Sequence, residues 1–171
     1  LKGFEIAVKE GKARSVMTTY NPVNGIWTAG SYDLCTTILR KEWGFDGIVM
    51  TDWWAEANTE GEKSTRGNKA PMVLAQNDLY MCVSNSLENP ENDNVKERFE
   101  AGEVTRSDLQ RNAKNILKFI MKSQAMLHEL NLISKEDLEE INAQDDDGNI
   151  SLGDIVYYYA DKDSNDIIID A

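Results

Sequence analysis

Two short stretches decide the fold, Arg14-Ser-Val-Met-Thr-Thr-Tyr20 and Phe45-Asp-Gly-Ile-Val-Met-Thr51. Both are rich in residues that favour strands. The second contains an unbroken apolar run, which is typical of a parallel strand covered on both faces. A helix is predicted between them, from Tyr32 to Trp43, with Ser31 as its N-cap and Gly44 at its end. A strand, a helix and a second strand therefore follow one another at the centre of this sequence.

The flanking residues continue this alternation of helix and strand. Thr105-Arg-Ser-Asp108 has the form of a capping box, with Asp in place of Glu, and predicts the start of the longest helix. The other predicted elements are a helix over 1–11, a turn over 21–25, a short helix over 71–75 and a third strand over 79–83. Such alternation is typical of an α/β protein.

Three parallel strands make a poor closed core and leave sheet edges exposed. The sequence therefore predicts part of a larger α/β unit, and we expect the chain to self-associate or to require the missing portion. We place this segment at residues 1–130. Residues 131–171 form an acidic appendage, in which a helical segment is followed by a short β-hairpin tail over 156–159 and 167–169.

The charge of the chain argues against a nucleic-acid partner. The 171 residues carry a net charge of −12, whereas affinity for phosphate backbones depends on clustered Lys and Arg. The charge is uneven: residues 1–85 carry 9 basic and 10 acidic side chains, and residues 86–171 carry 9 and 20. The two halves therefore present different surfaces.

Other features of the composition exclude further classes. No apolar run reaches the roughly 18–20 residues of a membrane span, and no signal-peptide pattern opens the chain, so a cytoplasmic location is slightly favoured. His128 is the only histidine, and Cys35 and Cys82 are the only cysteines. A Ser-His-Asp triad, a His-rich metal site and a disulfide framework are therefore not expected.

The most informative group of side chains follows the second predicted strand. Asp52 comes directly after Ile48-Val-Met-Thr51, and Trp53 and Trp54 come next. A carboxylate at a strand tip can attack an anomeric carbon, while indole rings stack on the apolar faces of sugars. A competing interpretation is that Asp52 caps the following turn and that both tryptophans belong to the core.

Longer versions of the two stretches resemble glycoside hydrolase family 3, the β-glucosidase-like enzymes. They are Ser15-Val-Met-Thr-Thr-Tyr-Asn-Pro-Val-Asn-Gly25 and Leu39-Arg-Lys-Glu-Trp-Gly-Phe-Asp-Gly-Ile-Val-Met-Thr-Asp-Trp53. Weaker similarity continues through 75–81 and 102–109. The resemblance covers about residues 1–123 and implies a (β/α)8-type barrel, of which this chain holds roughly the last three βα units.

The resemblance also implies a site. Asp52 matches the catalytic nucleophile of a retaining mechanism, which forms a covalent glycosyl-enzyme. Tyr20 matches a tyrosine that holds the nucleophile, Met17 a methionine that lines the sugar subsite, and Trp53 a tryptophan that stacks on the sugar. The implied substrate is a β-linked glucoside or a short β-glucan, and no cofactor is expected.

The sequence departs from the family pattern in several places. Thr51 stands where the family has Ser and keeps its hydroxyl, Gln76 replaces a glycine, and Cys82 replaces a common proline. The family's Lys-His pair and its early Arg and Asp, which hold sugar hydroxyls, have no match here. No residue matches the general acid/base, so we expect the isolated chain to be inactive, because a retaining site needs two carboxyl groups about 5–5.5 Å apart.

The acidic tail carries a second, weaker pattern. The stretch from Asp145 to Asp154 resembles part of a calcium loop, with oxygen-bearing side chains at Asp145, Asp147, Ser151 and Asp154. Ala143 stands at the first ligand position and has no ligand oxygen, so an acidic turn is favoured over calcium binding. The alternative function is a non-catalytic assembly or docking module, in which the acidic tail is a docking segment or a calcium-binding one.

Overall fold

The computed structural model describes residues 1–81, 88–123 and 126–127. The chain divides into two compact units, Leu1–Ile116 and Leu117–Ala171, and the candidate site lies in the first. The helices and strands are α1 (Lys2–Lys9), β1 (Ser15–Met17), β2 (Pro22–Val23), β3 (Ile26–Trp27), a π-helix (Asp33–Glu42), β4 (Ile48–Met50), α2 (Ala70–Leu74), α3 (Val95–Glu100) and α4 (Arg106–Met121). The predicted tail hairpin and the predicted boundary at residue 130 lie outside the described residues.

The two strands predicted from the central stretches pair in parallel. β1 lies beside β4 with Met17 opposite Met50, and helices precede and separate them, as in an α/β fold. The pairing begins where the Ile48 N–H donates to the Arg14 carbonyl at 2.9 Å. Gly47 is required at this point, because a Cβ there would lie 2.1 Å from the Arg14 oxygen.

The third strand was predicted over 79–83, but within the described residues it is a single parallel bridge between Met50 and Leu79. Backbone hydrogen bonds join Leu79 to Val49 and Thr51, and side chains take the N–H groups on either side of them. The Asp78 carboxylate accepts the Val49 N–H at 3.0 Å, and the Thr51 hydroxyl accepts the Met81 N–H at 2.9 Å. Residues 78–81 therefore run alongside β4 with one bridge and no regular strand among them.

The helix predicted between the strands is present but has a different winding. Residues Asp33–Glu42 form a π-helix, in which the Trp43 N–H donates to the carbonyl of Ile38, five residues earlier. Ser31 Oγ accepts the Leu34 N–H at 3.3 Å, in agreement with its predicted capping role. Gly44, at φ +73°, ends the helix as predicted.

The turn predicted over 21–25 is the centre of a small hairpin. β2 and β3 pair antiparallel around Asn24 and Gly25, whose φ angles are +52° and +83°. Two consecutive left-handed residues give the turn a twist that matches paired strands, and Asn-Gly is the favoured dipeptide. The hairpin follows β1 directly and therefore lies beyond the carboxyl end of that strand.

Two apolar clusters form the main core around the sheet and the π-helix. The first joins α1, the π-helix and β4 through Val8, Cys35, Leu39, Phe45, Val49 and Ala75. The second lies under the loop that follows β4 and consists of Ala29, Ala55, Ala57 and Met72. The Cys35 side chain is buried, as expected, and burial raises the pKa of its thiol to about 12. This cysteine is therefore a packing residue and not a reactive thiol.

Helix α4 packs through polar side chains, although its sequence carries an apolar stripe. Asn112 is buried and donates to the Asn77 carbonyl at 3.1 Å, while Leu109 and Ala113 are exposed. Asn115 Nδ2 lies 2.9 Å from Asp78 Oδ1. The polar face is the one buried because the neighbouring segment presents carbonyl and carboxylate oxygens.

The predicted capping box at the start of α4 is observed. The Asp108 N–H donates to Thr105 Oγ1 at 3.2 Å, and the Thr105 N–H donates to Asp108 Oδ2 at 2.9 Å. The hydrogen bond from Thr105 lowers the pKa of Asp108. The ionised cap therefore stabilises the fold above the ordinary carboxyl pKa of 3.8, and this contribution is lost as the pH falls through the lower folded-state value.

A Thr105→Ala variant is expected to lose about 1 kcal/mol of unfolding free energy at pH 7, because one orphan N–H of α4 loses its acceptor. Urea denaturation measures the loss. Ser107→Ala is the matched control, since Ser107 is an exposed residue in the same helical turn. Equal effects of the two substitutions at pH 7 would contradict the capping role.

Candidate active site

The candidate site lies at the carboxyl ends of β1 and β4. Parallel pairing brings both ends to the same edge of the sheet, and the bridge at Leu79 adds a third segment on the other side of β4. Residues 18–20, 51–54 and 80–81 leave the sheet at this edge. In open and closed parallel α/β sheets, this is the edge that carries functional side chains.

Asp52 is held in place by the residue before it. Thr51 is 2% exposed; its N–H donates to the Leu79 carbonyl and its hydroxyl accepts the Met81 N–H, both at 2.9 Å. Two hydrogen bonds therefore fix the backbone of β4 directly below the carboxylate. The hydroxyl that Thr51 shares with the family's serine is thus used to bind the Met81 N–H.

The Asp52 carboxylate lies in a turn at the strand tip. Its Oδ1 accepts the Trp53 N–H at 2.7 Å. The backbone carbonyl of Asp52 accepts the Ala55 N–H at 3.3 Å. Asp52 therefore does cap its own turn, as the competing interpretation expected. The other half of that interpretation is wrong for the described chain, because Trp53 and Trp54 are 43% and 48% exposed and do not belong to the core.

Large apolar side chains surround this edge without being buried. Met17 is 47% exposed and Tyr20 is 46% exposed, and they belong to the end of β1 and the residues after it. Together with the two tryptophans they form the edge surface, defined here as Met17, Tyr20, Trp53 and Trp54. Such a concentration of exposed apolar residues around a carboxylate is typical of a ligand-binding surface.

Asn58, which was not predicted from the sequence, connects the two loops at this edge. Its Oδ1 accepts the Trp27 N–H and its Nδ2 donates to the Gly25 carbonyl, both at 2.9 Å. The hairpin after β1 is thereby joined to the loop after β4. No local pattern marks this link, since the partners in the hairpin lie more than 30 positions away from Asn58.

A second missed residue, Asn77, supports the sheet edge from below. It is fully buried, and its Nδ2 lies 3.2 Å from both Thr18 Oγ1 and the Ala29 carbonyl. Asn77 therefore links the residue after β1 to the turn before the π-helix. No local sequence pattern marks Asn77, since these two partners lie 59 and 48 positions away.

A buried ion pair joins Arg40 and Asp78. Arg40 Nη2 lies 2.6 Å from Asp78 Oδ2, and the Asp78 side chain has no solvent exposure. Arg40 also donates to the carbonyls of Gly47 and Gln76 at 3.0 and 3.1 Å. Burial raises the pKa of Asp78, and the guanidinium of Arg40 opposes that shift. This pair joins the π-helix to the segment beside β4 and has a supporting role.

A further ion pair lies behind Tyr80. Lys69 Nζ is 3.0 Å from Glu91 Oε2, with only 3% of the lysine side chain exposed, and it lies 5.8 Å from the centre of the Tyr80 ring. Burial raises the pKa of Tyr80. The pair ties the segment before α2 to the loop before α3, and it was not anticipated from the sequence.

Neither a metal-binding cluster nor a membrane-spanning helix is present in residues 1–81, 88–123 and 126–127. Within those ranges, no group of three or more His, Cys, Asp and Glu side chains is arranged to hold a metal ion. None of the described helices combines the length and the apolar character that a membrane crossing requires. The calcium-loop positions Asp145, Asp147, Ser151 and Asp154 lie outside those ranges.

Comparison with known proteins identifies the family to which this arrangement belongs. The family model described as "Glycosyl hydrolase family 3 N terminal domain" matches residues 1–119. A β-glucosidase of Ruminococcus albus is 51% identical over 157 residues, which is 92% of this chain. The chain belongs to glycosyl hydrolase family 3. The resemblance inferred from its motifs is confirmed, and the glycosidase interpretation is favoured over an assembly or docking module.

Solved structures support the same assignment for this family 3 chain. A β-glucosidase from Paenibacillus barengoltzii matches 74% of the chain with a TM-score of 0.68 and 54% identity. β-Glucosidase 3B from Thermotoga neapolitana, solved in complex with glucose, matches 94% of the chain with a TM-score of 0.61 and 29% identity. The chain spans only 14% and 20% of these two proteins and 16% of the Ruminococcus enzyme.

Proposed function

We propose that this chain is the nucleophile-bearing segment of a retaining β-glucosidase-like enzyme. The observation that carries the proposal is the position of Asp52, at the carboxyl end of β4 and beside the exposed edge surface. Asp52 attacks the anomeric carbon, the bond to the leaving oxygen breaks, and a covalent glycosyl-enzyme forms. Water then attacks the same carbon and releases the sugar.

The roles proposed for the other edge residues follow from their place around Asp52. Met17 ends the neighbouring strand and lines the subsite of the sugar being cleaved. Tyr20 follows that strand and holds Asp52, and Trp53 stacks on the sugar. A β-linked glucoside or short β-glucan is the proposed substrate, in keeping with the names of the β-glucosidase relatives. Glucose in the structure of the Thermotoga relative supports the choice of sugar.

The barrel architecture is part of the same proposal. β1, β4 and the segment at Leu79 account for consecutive parallel positions of a (β/α)8-type barrel, completed by residues beyond this chain. The general acid/base and the residues that hold the sugar hydroxyls also come from that remainder. The isolated chain is accordingly inactive, and turnover of an aryl glucoside by the purified 171-residue chain would contradict this.

The test is to trap the glycosyl-enzyme in the full-length protein that carries this chain. In 2-deoxy-2-fluoro-β-glucosyl fluoride, the ring fluorine slows both steps while the fluoride leaving group speeds the first, so the intermediate accumulates. Trypsin cleaves after Lys41 and Lys63 and releases a peptide that contains Asp52. We expect mass spectrometry to find the fluorosugar on that residue.

The labelled peptide also contains Asp46, which provides an internal control for a nearby carboxylate. An Asp52→Asn variant is expected to take up no label, whereas Asp46→Asn is expected to be labelled at the wild-type rate. A label on any other carboxylate, or no label on a folded protein that hydrolyses β-glucosides, would overturn the assignment of Asp52.

A further inference from the structure

The small hairpin formed by β2 and β3 is held in place by polar side chains more than by apolar packing. Both residues of β2 are exposed, and both residues of β3 are only partly buried. Two buried polar side chains adjoin the hairpin: Thr28, which follows β3, and Asn58, in the loop after β4. We call these two side chains the loop brace. Buried polar groups are normally hydrogen-bonded, so their partners indicate what the brace does.

Asn58 uses both ends of its side-chain amide. The Oδ1 atom accepts the Trp27 N–H at 2.9 Å, and Nδ2 donates to the carbonyls of Gly25 and Glu62 at 2.9 and 3.3 Å. A carboxylate could not make the same set of bonds, because it has no N–H donors. Asn58 therefore fixes the second strand of the hairpin relative to the loop that follows Asp52.

Thr28 continues the connection to Tyr20. Its hydroxyl oxygen accepts the Thr19 N–H at 3.0 Å, and its own N–H donates to the Asn21 carbonyl at 3.3 Å. The backbone is thereby held on both sides of Tyr20. Because Asn58 binds the residue directly before Thr28, both halves of the brace act on one short segment of chain.

The loop between Asp52 and Asn58 is anchored as well. The Ala55 N–H donates to the Asp52 carbonyl, Ala55 and Ala57 are buried, and Ala57 forms an antiparallel bridge with a residue further along the loop. These contacts restrict the backbone between the carboxylate and Asn58. A continuous set of bonded and buried residues therefore connects Asp52, through the loop brace, to Tyr20.

We propose that Asn58 and Thr28 are positioning residues, which hold Tyr20 at the correct distance from Asp52 while the glycosyl-enzyme forms and breaks down. The inference rests on the proposed function, in which Tyr20 holds the nucleophile. A displacement of about 1 Å between reacting groups can lower a rate about 100-fold. Since the brace acts on the nucleophile and not on the sugar, its loss lowers kcat and leaves KM nearly unchanged.

The test measures kcat and KM for 4-nitrophenyl β-glucoside with the full-length protein that carries this chain. Asn58→Ala is expected to lower kcat about 10- to 100-fold and to change KM by less than about 3-fold. Asn68→Ala is the matched control, because Asn68 lies in the same loop, is 8% exposed and accepts the Asn94 amide at 2.7 Å. Asn68 ties the loop to the segment before α3, and its substitution is expected to leave kcat within about 2-fold of wild type.

A double-mutant cycle with Tyr20→Phe separates positioning from a general loss of structure. Tyr20→Phe removes the hydroxyl proposed to hold Asp52 and is expected to lower kcat about 10- to 100-fold. In that background, Asn58→Ala is expected to lower kcat by less than about 2-fold more, because the group that it positions is already absent. A purely structural role would lower kcat by the same factor in both backgrounds.

Thr28→Val tests the other half of the brace and keeps the shape of the side chain. Thr19 is exposed, so water can accept its N–H once the hydroxyl is lost, and the variant is expected to fold. We expect the same fall in kcat as for Asn58→Ala and the same dependence on the Tyr20 hydroxyl. Thr28→Ser keeps the hydroxyl and is expected to retain most of the activity.

Two results would overturn this inference alone. One is that Asn58→Ala and Thr28→Val lower kcat by equal factors with and without the Tyr20 hydroxyl, since both residues are then structural. The other is that both variants keep kcat within about 2-fold of wild type. A folded wild-type protein that does not turn over β-glucosides would instead refute the proposed function, and this inference with it.

Discussion

An Asp52→Ala variant of the full-length protein that carries this chain is expected to lose at least about 10,000-fold in kcat on β-glucosides, because it removes the proposed nucleophile and with it the proposed covalent route. The carboxylate lies in an ordered turn, and its only described hydrogen bond is to the adjacent Trp53 N–H. The substitution is therefore expected to remove chemistry without unfolding the strand tip. Unchanged thermal unfolding would verify this.

Azide distinguishes loss of a nucleophile from loss of an acid/base. In the Asp52→Ala enzyme a cavity replaces the carboxylate, and azide enters from the face that the carboxylate occupied. The bond from the anomeric carbon to the leaving oxygen breaks as the carbon–nitrogen bond forms, and the leaving alcohol takes a proton from the enzyme's acid. We expect azide to restore turnover and the product to be the α-glucosyl azide, which NMR identifies.

Asp46→Ala is the matched control for this experiment. Asp46 belongs to the same sequence stretch but precedes β4, and it forms an exposed ion pair with Arg14 at 3.1 Å. Its substitution is expected to leave kcat within about 2-fold of wild type, because it lies at the opposite end of the strand. Wild-type activity in Asp52→Ala, or a β-glucosyl azide as the rescue product, would contradict the role proposed for Asp52.

The second large effect concerns the buried ion pair between Arg40 and Asp78. Removing either partner by Arg40→Met or Asp78→Ala is expected to lower the free energy of unfolding by about 3–5 kcal/mol, since the other charge stays buried without compensation. Asp78→Ala also removes the acceptor of two further hydrogen bonds, from the Val49 N–H at 3.0 Å and from the Asn115 side-chain amide at 2.9 Å. Urea denaturation measures the loss.

Hydrogen exchange provides a local check on the same prediction. The Val49 amide has the Asp78 carboxylate as its acceptor, so its protection is expected to fall in Asp78→Ala more than that of amides in α1. This measurement is informative even where unfolding of a larger protein is not two-state.

An exposed pair and a double variant complete the design. Arg14→Met breaks the Arg14–Asp46 pair, in which the two side chains are 25% and 52% exposed, and is expected to cost less than about 1 kcal/mol. The double variant Arg40→Met with Asp78→Leu is expected to lose less than the sum of the single variants, because no unpaired charge remains. If Arg40→Met or Asp78→Ala lowers the free energy of unfolding by as little as Arg14→Met does, the buried pair does not hold these segments together.

Local sequence signals predicted much of the fold. The apolar run at 48–50 predicted β4, the glycine at 44 predicted the end of the helix before it, and Thr105 with Asp108 predicted the start of α4. Each signal depends on a few neighbouring residues, whose conformational preferences and short-range hydrogen bonds do not change with the rest of the chain. The position of Asp52 at a strand tip is a consequence of the same local pattern.

Interactions between residues that are far apart in the chain could not be predicted from local sequence patterns. The partner of Arg40 is Asp78, 38 positions away. The chain contains 30 acidic residues, and the sequence does not indicate which of them pairs with Arg40. Within the described part of the predicted third strand only the bridge at Leu79 is present, since the carboxylate of Asp78 and the hydroxyl of Thr51 accept the N–H groups of Val49 and Met81.

The sequence by itself determined the family, the α/β alternation and the carboxylate on which the proposed chemistry depends, because these are encoded in contiguous motifs. Only the tertiary structure decided which side chains are buried around them. It placed the polar face of α4 inside and left Trp53 and Trp54 exposed, and it put Trp54 into a strained turn. The physical reason is that burial and backbone strain depend on which segments meet in space, whereas helix ends and strand runs depend on neighbours in the chain.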